Sequence, residues 1–298
     1  MTTFAICCEI KPFVSVIIPV YRDWDRLKLC IDALKKQTYP SDKFEVIIVN
    51  NGFDAPPSDL SLSDNFCLIQ ELKRGSYAAR NAGVGIAKGD ILAFTDSDCI
   101  PDISWLANGV HVFNKGNTRI AGKIELFYAE PRLTFAEIYE KAFAFPQQRY
   151  ASELHFGATA NMLSCRSIFD AVGLFDPDLY SGGDCDWGKR AYNAGYLVQY
   201  SDCVLVRHPA RKTFSELLNK NKRVIGGVFD RKMGIAKFLY DVFLSISPPI
   251  VIAREIFHND ELTLYEKIIA IAMSYCIKMV LLKEKIRLYM CSGEPRNT

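Results

Sequence analysis

The sequence predicts an α/β protein with a mainly parallel, doubly wound sheet flanked by helices and a helical appendage at its C-terminal end. Three observations predict it. Short, mostly apolar, β-branched runs recur at residues 14–20, 44–49, 66–72 and 91–95. Such runs suit strands buried on both faces of a parallel sheet. Segments with helical spacing separate them, the alternation expected of βα units. Polar or glycine-bearing clusters follow the runs, and in open α/β sheets ligands sit just beyond the carboxyl ends of the strands.

Taken in order, residues 14–20 (VSVIIPV) form the first strand. Leu27, Ile31 and Leu34 give 26–37 helical spacing, and Tyr39-Pro40-Ser41-Asp42 breaks the chain. A second strand at 44–49 ends in Asn50-Asn51-Gly52 and closes a βαβ unit. A polar loop at 54–64 leads to the third strand, 66–72. Residues 75–88 are rich in Ala and Gly and predict a helix whose small face packs closely. The strand at 91–95 (ILAFT) runs into Asp96-Ser97-Asp98, and Pro101 suits the start of a helix.

Beyond it the pattern predicts a helix at 105–113, a strand at 119–127 and an aromatic-rich helix at 133–145. A small apolar segment, 156–163, surrounds Asn161. A short helix at 166–172 stops at Gly173, and SGGDCDWGKR (181–190) opens another that stops at Gly195. A strand at 196–206 ends at Arg207-His208-Pro209. The apolar helices at 238–252 and 264–282 carry Asp241, Glu266, Lys267 and Lys278 and the break Pro248-Pro249. They fit a buried helical pair or an in-plane membrane appendage, and the flanking Lys283, Lys285 and Arg287 favour the membrane. The domain division expected is 1–230 and 231–298.

The chain has 298 residues, 49% hydrophobic and 23% charged, so it is globular rather than disordered. A net charge of +2 argues against nucleic acid as a partner. Ten Cys without a Cys-x-x-Cys pair read as reduced, mostly buried thiols in a reducing compartment. No basic-then-apolar leader opens the sequence, and no run of 18 uncharged apolar residues occurs. From Arg207 to Lys237 nine Lys/Arg face only Glu216 and Asp230. That stretch suits phosphate or an anionic membrane surface, or is a solvated face.

Side chains two apart on extended backbone point the same way. Asp96 and Asp98 therefore offer paired oxygens to one object, which suits Mg²⁺ or Mn²⁺ bridging a diphosphate. Asp at a strand end also caps the following helix, and the pair alone leaves both readings open.

The ordered set Pro19-Val20-Tyr21, Asn50-Asn51-Gly52, Gly75…Arg80-Asn81, Asp96-Ser97-Asp98 and Gly182-Gly183-Asp184-Cys185-Asp186-Trp187…Arg190 resembles the family 2 glycosyltransferases, over about residues 14–223. The resemblance implies the GT-A fold and transfer, with inversion, of a sugar from a UDP-, GDP- or dTDP-type donor to a saccharide or lipid-linked acceptor hydroxyl. The expected role is polysaccharide or glycolipid assembly in the cytoplasm, and its peripheral placement at the membrane rests on the basic stretch and the apolar C-terminal helices alone. Pro19, Tyr21 and Asn51 would hold the nucleotide base; Arg80 would reach base, ribose or phosphate, or pair with a surface acid. Asp96 and Asp98 would meet the ribose and metal, with Asp98 the direct ligand. His208 would be a further metal ligand or phosphate contact, or simply a hydrogen-bonded strand-end histidine. Asp184 falls where the family has its catalytic Asp, and Asp186 would support acceptor or base. Asn161 would line the sugar pocket, and Trp187 suits the core.

Two positions depart from the common pattern. Asn50-Asn51 stands where Asp is usual, and Gly183 where many members carry Glu. They keep a competing reading, a non-catalytic nucleotide-binding subunit. A sugar nucleotidyltransferase would need a Gly-rich loop after the first strand, and Pro19-Val20-Tyr21-Arg22-Asp23 has no glycine.

Overall fold

The computed structural model describes residues 11–228 and 234–290. They form two compact units. The first takes the described residues up to 125, with 146–178 and 183–208. The second takes 126–145, 179–182 and the described residues from 209 onward.

The first unit is organised by β1 (Val14–Val20), whose Val16, Ile17 and Ile18 are fully buried. β1 pairs in parallel with β2 (Phe44–Asn50) on one side and β4 (Ile91–Thr95) on the other, Ile17 lying opposite Ile47 and Phe94. β3 (Phe66–Gln70) extends the parallel part beyond β2. Past β4 the sheet turns mixed, because β7 (Asn161–Cys165) and β6 (Arg119–Phe127) join antiparallel. A two-residue strand, β5 (Ile100–Pro101), pairs antiparallel with β8 (Gln199–Pro209). The order is β3-β2-β1-β4-β7-β6-β8-β5.

Helix α1 (Trp24–Lys35) buries Leu27, Ile31 and Leu34, the residues whose spacing predicts it. Helix α2 (Ser76–Ile86) has the expected small face: a methyl at Gly83 would come 2.6 Å from the Ile17 side chain. α3 (Trp105–Asn114) buries Trp105 and Leu106. α4 (Phe135–Phe143) belongs to the second unit, and α5 (Gln147–Leu154), α6 (Arg166–Val172) and α7 (Gly183–Asn193) to the first. An aromatic cluster of Phe94, Phe169, Phe175 and Trp187 fixes α6 and α7 against β4. Trp187 is a fully buried core residue, as expected.

Several boundaries differ from the sequence expectation. α4 begins two residues later than predicted because Thr134 and Glu137 build a reciprocal cap there. β7 begins only at Asn161, after a turn in which the Asn161 N–H donates to the Ala158 carbonyl. β8 continues through Pro209 because its backbone pairs with β5, so His208 sits within the strand rather than past its end. The expectation of mostly buried thiols is corrected. Among the described cysteines, all free, Cys30 and Cys99 are buried, Cys203 and Cys276 are exposed, and the rest lie between.

In the second unit α8 (Phe214–Val228), α9 (Ile235–Ile246), α10 (Ile250–Phe257) and the long α11 (Leu264–Met290) accompany α4. Ala136, Leu217, Ile277 and Leu281 form one apolar cluster, and Ile138, Ile256, Leu262 and Ala270 another. Part of the basic stretch turns inward: Arg211 and Lys220 each lie 2.9 Å from the buried Glu140 carboxylate. Arg231 and Lys232 of that stretch lie outside the described residues.

Candidate active site

The parallel strands bring the ends of β1, β2 and β4 to one edge of the sheet. Pro19 lies inside β1 opposite Val49, and Tyr21 leaves the strand half exposed, its ring 5.3 Å from the Arg22 guanidinium.

Both asparagines after β2 hold backbone. Asn50 Oδ1 accepts from the Gly52 N–H at 2.9 Å, and its amide donates to the Asp54 carbonyl. Asn51 Nδ2 donates to the carbonyls of Glu71 and Lys73 at 2.9 and 2.7 Å, and Oδ1 accepts from Gly75 N–H. Both amide protons of Asn51 are thus committed to the loop that enters α2. A carboxylate could not donate to those carbonyls, which explains the asparagine.

Arg80 is 3% exposed on α2 and pairs with the Asp96 carboxylate. It therefore partners an acid of the candidate site rather than a surface acid. Asp98 Oδ2 lies 3.6 Å from His208 Nε2 and 3.5 Å from Arg26 Nη1. The β5–β8 pairing brings His208 there, since Arg207 is in register with Ile100, two residues after Asp98. Asp98, Cys99 and His208 present one donor atom each, all within 4.8 Å of one another. A carboxylate oxygen and an imidazole nitrogen fit a divalent cation of the Mg²⁺/Mn²⁺ type. Burial, then the charges of Asp98 and Asp96, push the Cys99 thiol well up. Asp96, committed to Arg80, stands outside this group.

Asp184 opens α7. Its Oδ1 accepts from the Tyr77 hydroxyl at 3.2 Å and from the Cys185 N–H at 2.9 Å. Burial raises its carboxyl above the ordinary aspartate value, against the opposing pull of Arg80 and of its hydrogen bonds to Cys185, Thr159 and Tyr77. Asp186 points elsewhere: it is exposed and pairs with Arg190 at 3.1 Å, one turn along α7. Asn161 is fully buried, donating to the Lys123 and Val204 carbonyls and accepting from Trp105 Nε1. Its amide joins strands, leaving no donor for a sugar.

Sequence reasoning missed Tyr77 and Arg26 as neighbours of the two aspartates. Neither lies in a strand-end cluster of acids. Tyr77 was visible only as the aromatic residue beside Arg80 in a small-residue helix.

A mixed α/β sheet with acidic residues gathered beyond its strands is the arrangement of GT-A glycosyltransferases. The profile of Glycosyl transferase family 2 matches residues 15–173, and the chain belongs to that family. Glycosyltransferase AglE of Haloferax volcanii is 39% identical over 220 residues, 72% of either chain. A Methanococcus voltae dolichyl N-acetyl-alpha-D-glucosaminyl phosphate 3-beta-D-2,3-diacetamido-2,3-dideoxy-beta-D-glucuronosyltransferase is 21% identical over 229 residues, 70% of either chain. The structure of the mannosyltransferase PcManGT from Pyrobaculum calidifontis, in complex with GDP-Man and Mn²⁺, aligns with 96% of this chain and 89% of its own. Its TM-score is 0.61 at 18% identity, a likeness of fold. The protein is therefore a glycosyltransferase of glycan assembly, and the competing non-catalytic reading falls.

Proposed function

We propose that this enzyme transfers a sugar, with inversion, from a nucleoside-diphosphate donor to a hydroxyl of a lipid-linked saccharide at a membrane surface. The observation that supports it is a pair of acidic groups with different surroundings. Asp98 lies beside His208, while Asp184 on α7 accepts from the Tyr77 hydroxyl and its carboxyl is raised by burial.

Asp98 and His208 would hold a divalent cation, which when bound offsets charge developing on the leaving diphosphate. Asp96, fixed by Arg80, would meet the ribose, and Tyr21 and the 50–52 turn would bound the base. With its amide protons committed, Asn51 shapes that wall rather than reading the base edge. In the transfer step the acceptor oxygen forms a bond to the anomeric carbon. The bond from that carbon to the phosphate oxygen breaks, and its electron pair leaves with the diphosphate. The acceptor proton passes to the Asp184 carboxylate. A carboxyl raised by burial is a stronger base once ionised, which suits this role.

The lipid part of the reading is supported by the name of the Methanococcus voltae relative and by the second unit. Among the described residues no single helix is long and apolar enough to cross a membrane. α9 and α10, bent by 46°, meet that test only together, and Leu239, Tyr240, Phe243, Ile250 and Val251 lie exposed on them. Such a patch suits burial in a headgroup layer. The test is release of nucleoside diphosphate from UDP-, GDP- and dTDP-sugars with Mn²⁺ and a polyprenyl-phosphate-linked saccharide. Turnover with one donor, lost on chelation and in Asp184→Asn, is expected. Full turnover under chelation would remove the metal, and full turnover in Asp184→Asn would remove the base.

A further inference from the structure

We propose that Tyr77 is a positioning residue that aims the Asp184 carboxylate, and that Gly183 is the space its ring requires. The inference rests on the reading of Asp184 as the base. Tyr77 is 6% exposed on α2, and its hydroxyl donates to Asp184 Oδ1 at 3.2 Å across a long stretch of sequence. The ring lies against the residue before Asp184: a Cβ at Gly183 would sit 2.7 Å from Tyr77 Cε2. Any side chain at 183 would displace that ring and its hydroxyl from the carboxylate.

The same helix face reaches a second aspartate of the candidate site, Asp96. Arg80, one turn on from Tyr77, stacks its guanidinium 5.6 Å from the Tyr77 ring centroid and pairs with Asp96. α2 is thus a spacer touching Asp184 through Tyr77 and Asp96 through Arg80. Burial and the Asp184 charge push the Tyr77 phenol far up, so it remains a protonated donor throughout the working pH range. The groups that act on Asp184 are Tyr77 and Arg80 from α2, Cys185 and its N–H from α7, the Thr159 backbone before β7, and Tyr150 from α5.

Tyr77→Phe removes the hydroxyl and leaves the ring in place. The experiment compares wild type, Tyr77→Phe, Gly183→Ala, their double variant and Asp184→Asn. Two readouts are used: a carbon-detected NMR titration of [¹³C]Asp-labelled protein, with Asp184 assigned by its absence in Asp184→Asn, and nucleotide release from UDP-glucose and GDP-mannose with Mn²⁺. In Tyr77→Phe the Asp184 titration and the acid limb of kcat should move to higher pH, because a hydrogen bond favouring the carboxylate is gone. kcat should fall about tenfold, the scale of one hydrogen bond to a charged group, with donor KM within about twofold. Gly183→Ala should lower kcat in wild type but not in the Tyr77→Phe background. An unmoved Asp184 titration and acid limb in Tyr77→Phe, or additive losses in the double variant, would overturn the proposal. If Asp184→Asn is inactive while Tyr77→Phe matches wild type, only the positioning role fails. If Asp184→Asn keeps wild-type turnover, the base reading fails and takes the positioning role with it.

Discussion

His208 Nε2 stands 3.6 Å from Asp98 Oδ2, although one residue lies in β8 and the other follows β4. The link between them is the two-residue strand β5, which pins the chain just after Asp98 to Arg207. A donor pair assembled by backbone pairing is preorganised, so binding a cation there need not first order a loop.

His208→Ala should therefore weaken Mn²⁺-dependent nucleoside-diphosphate binding by at least about ten- to a hundredfold, the loss typical of removing even a partner of a metal ligand. Binding measured under chelator should be unchanged. Equal losses with and without metal would take His208 out of the cation site and leave it a strand histidine.

Asp184→Asn should cut transfer by roughly 10²–10⁴-fold while nucleotide affinity stays near wild type, since a base acts on the proton in the transition state. The same variant should melt at higher temperature at pH 7. The folded carboxyl holds its proton more tightly than the unfolded one, so wild-type stability falls as pH rises through the window between those two values. Asparagine carries no charge to desolvate. Calorimetric melting from pH 4 to 8 checks the sign; a lower melting temperature at pH 7 would contradict it.

Glu140 of α4 has the opposite sign. Burial alone would raise its carboxyl, but Lys220 and Arg211 outweigh that and hold it below the ordinary glutamate value. Its stabilising contribution is present above the unfolded glutamate range and is lost as pH falls through the lowered value. Glu140→Gln leaves two half-buried cations without their carboxylate. It should cost about 3–5 kcal/mol, the usual penalty for breaking a buried pair, read by chemical denaturation. A cost near zero would mean that water already screens this triad.

Phe243→Asp with Val251→Asp should lower sedimentation with anionic phospholipid vesicles at least several-fold and leave nucleotide binding intact. Both side chains are largely exposed and apolar on the bent α9–α10 pair. Unchanged sedimentation would return these helices to a packing role.

The parallel half of the sheet was readable because its strands are buried on both faces and carry little else. Val14–Val20 and Ile91–Thr95 coincide with their apolar runs. The small face of α2 was readable for the same reason: Ala and Gly signal close approach, and Gly83 meets Ile17. β5 was not readable, since a two-residue strand has no period. That is also why His208 was expected at a strand end rather than inside a strand. Asp96, Asp98 and Asp184 were legible as acids in fixed order, and His208 as a companion of Asp98, but the helix-borne partners were not. Arg80, Tyr77 and Arg26 come from helices whose sequence reports only that one face is buried. Asn51 and Asn161 show the limit most clearly: an amide reads alike whether it faces a ligand or holds backbone, and both hold backbone.

Isothermal calorimetry of UDP, GDP, dTDP and CMP binding, with Mn²⁺ and with chelator, on wild type and Asp98→Ala tests the central claim most directly. The account predicts that one diphosphate binds with Mn²⁺, that chelator weakens it, and that Asp98→Ala removes the difference. Tight binding of that nucleotide under chelator, unaltered by Asp98→Ala, would contradict a cation-assisted donor site at Asp98 and His208.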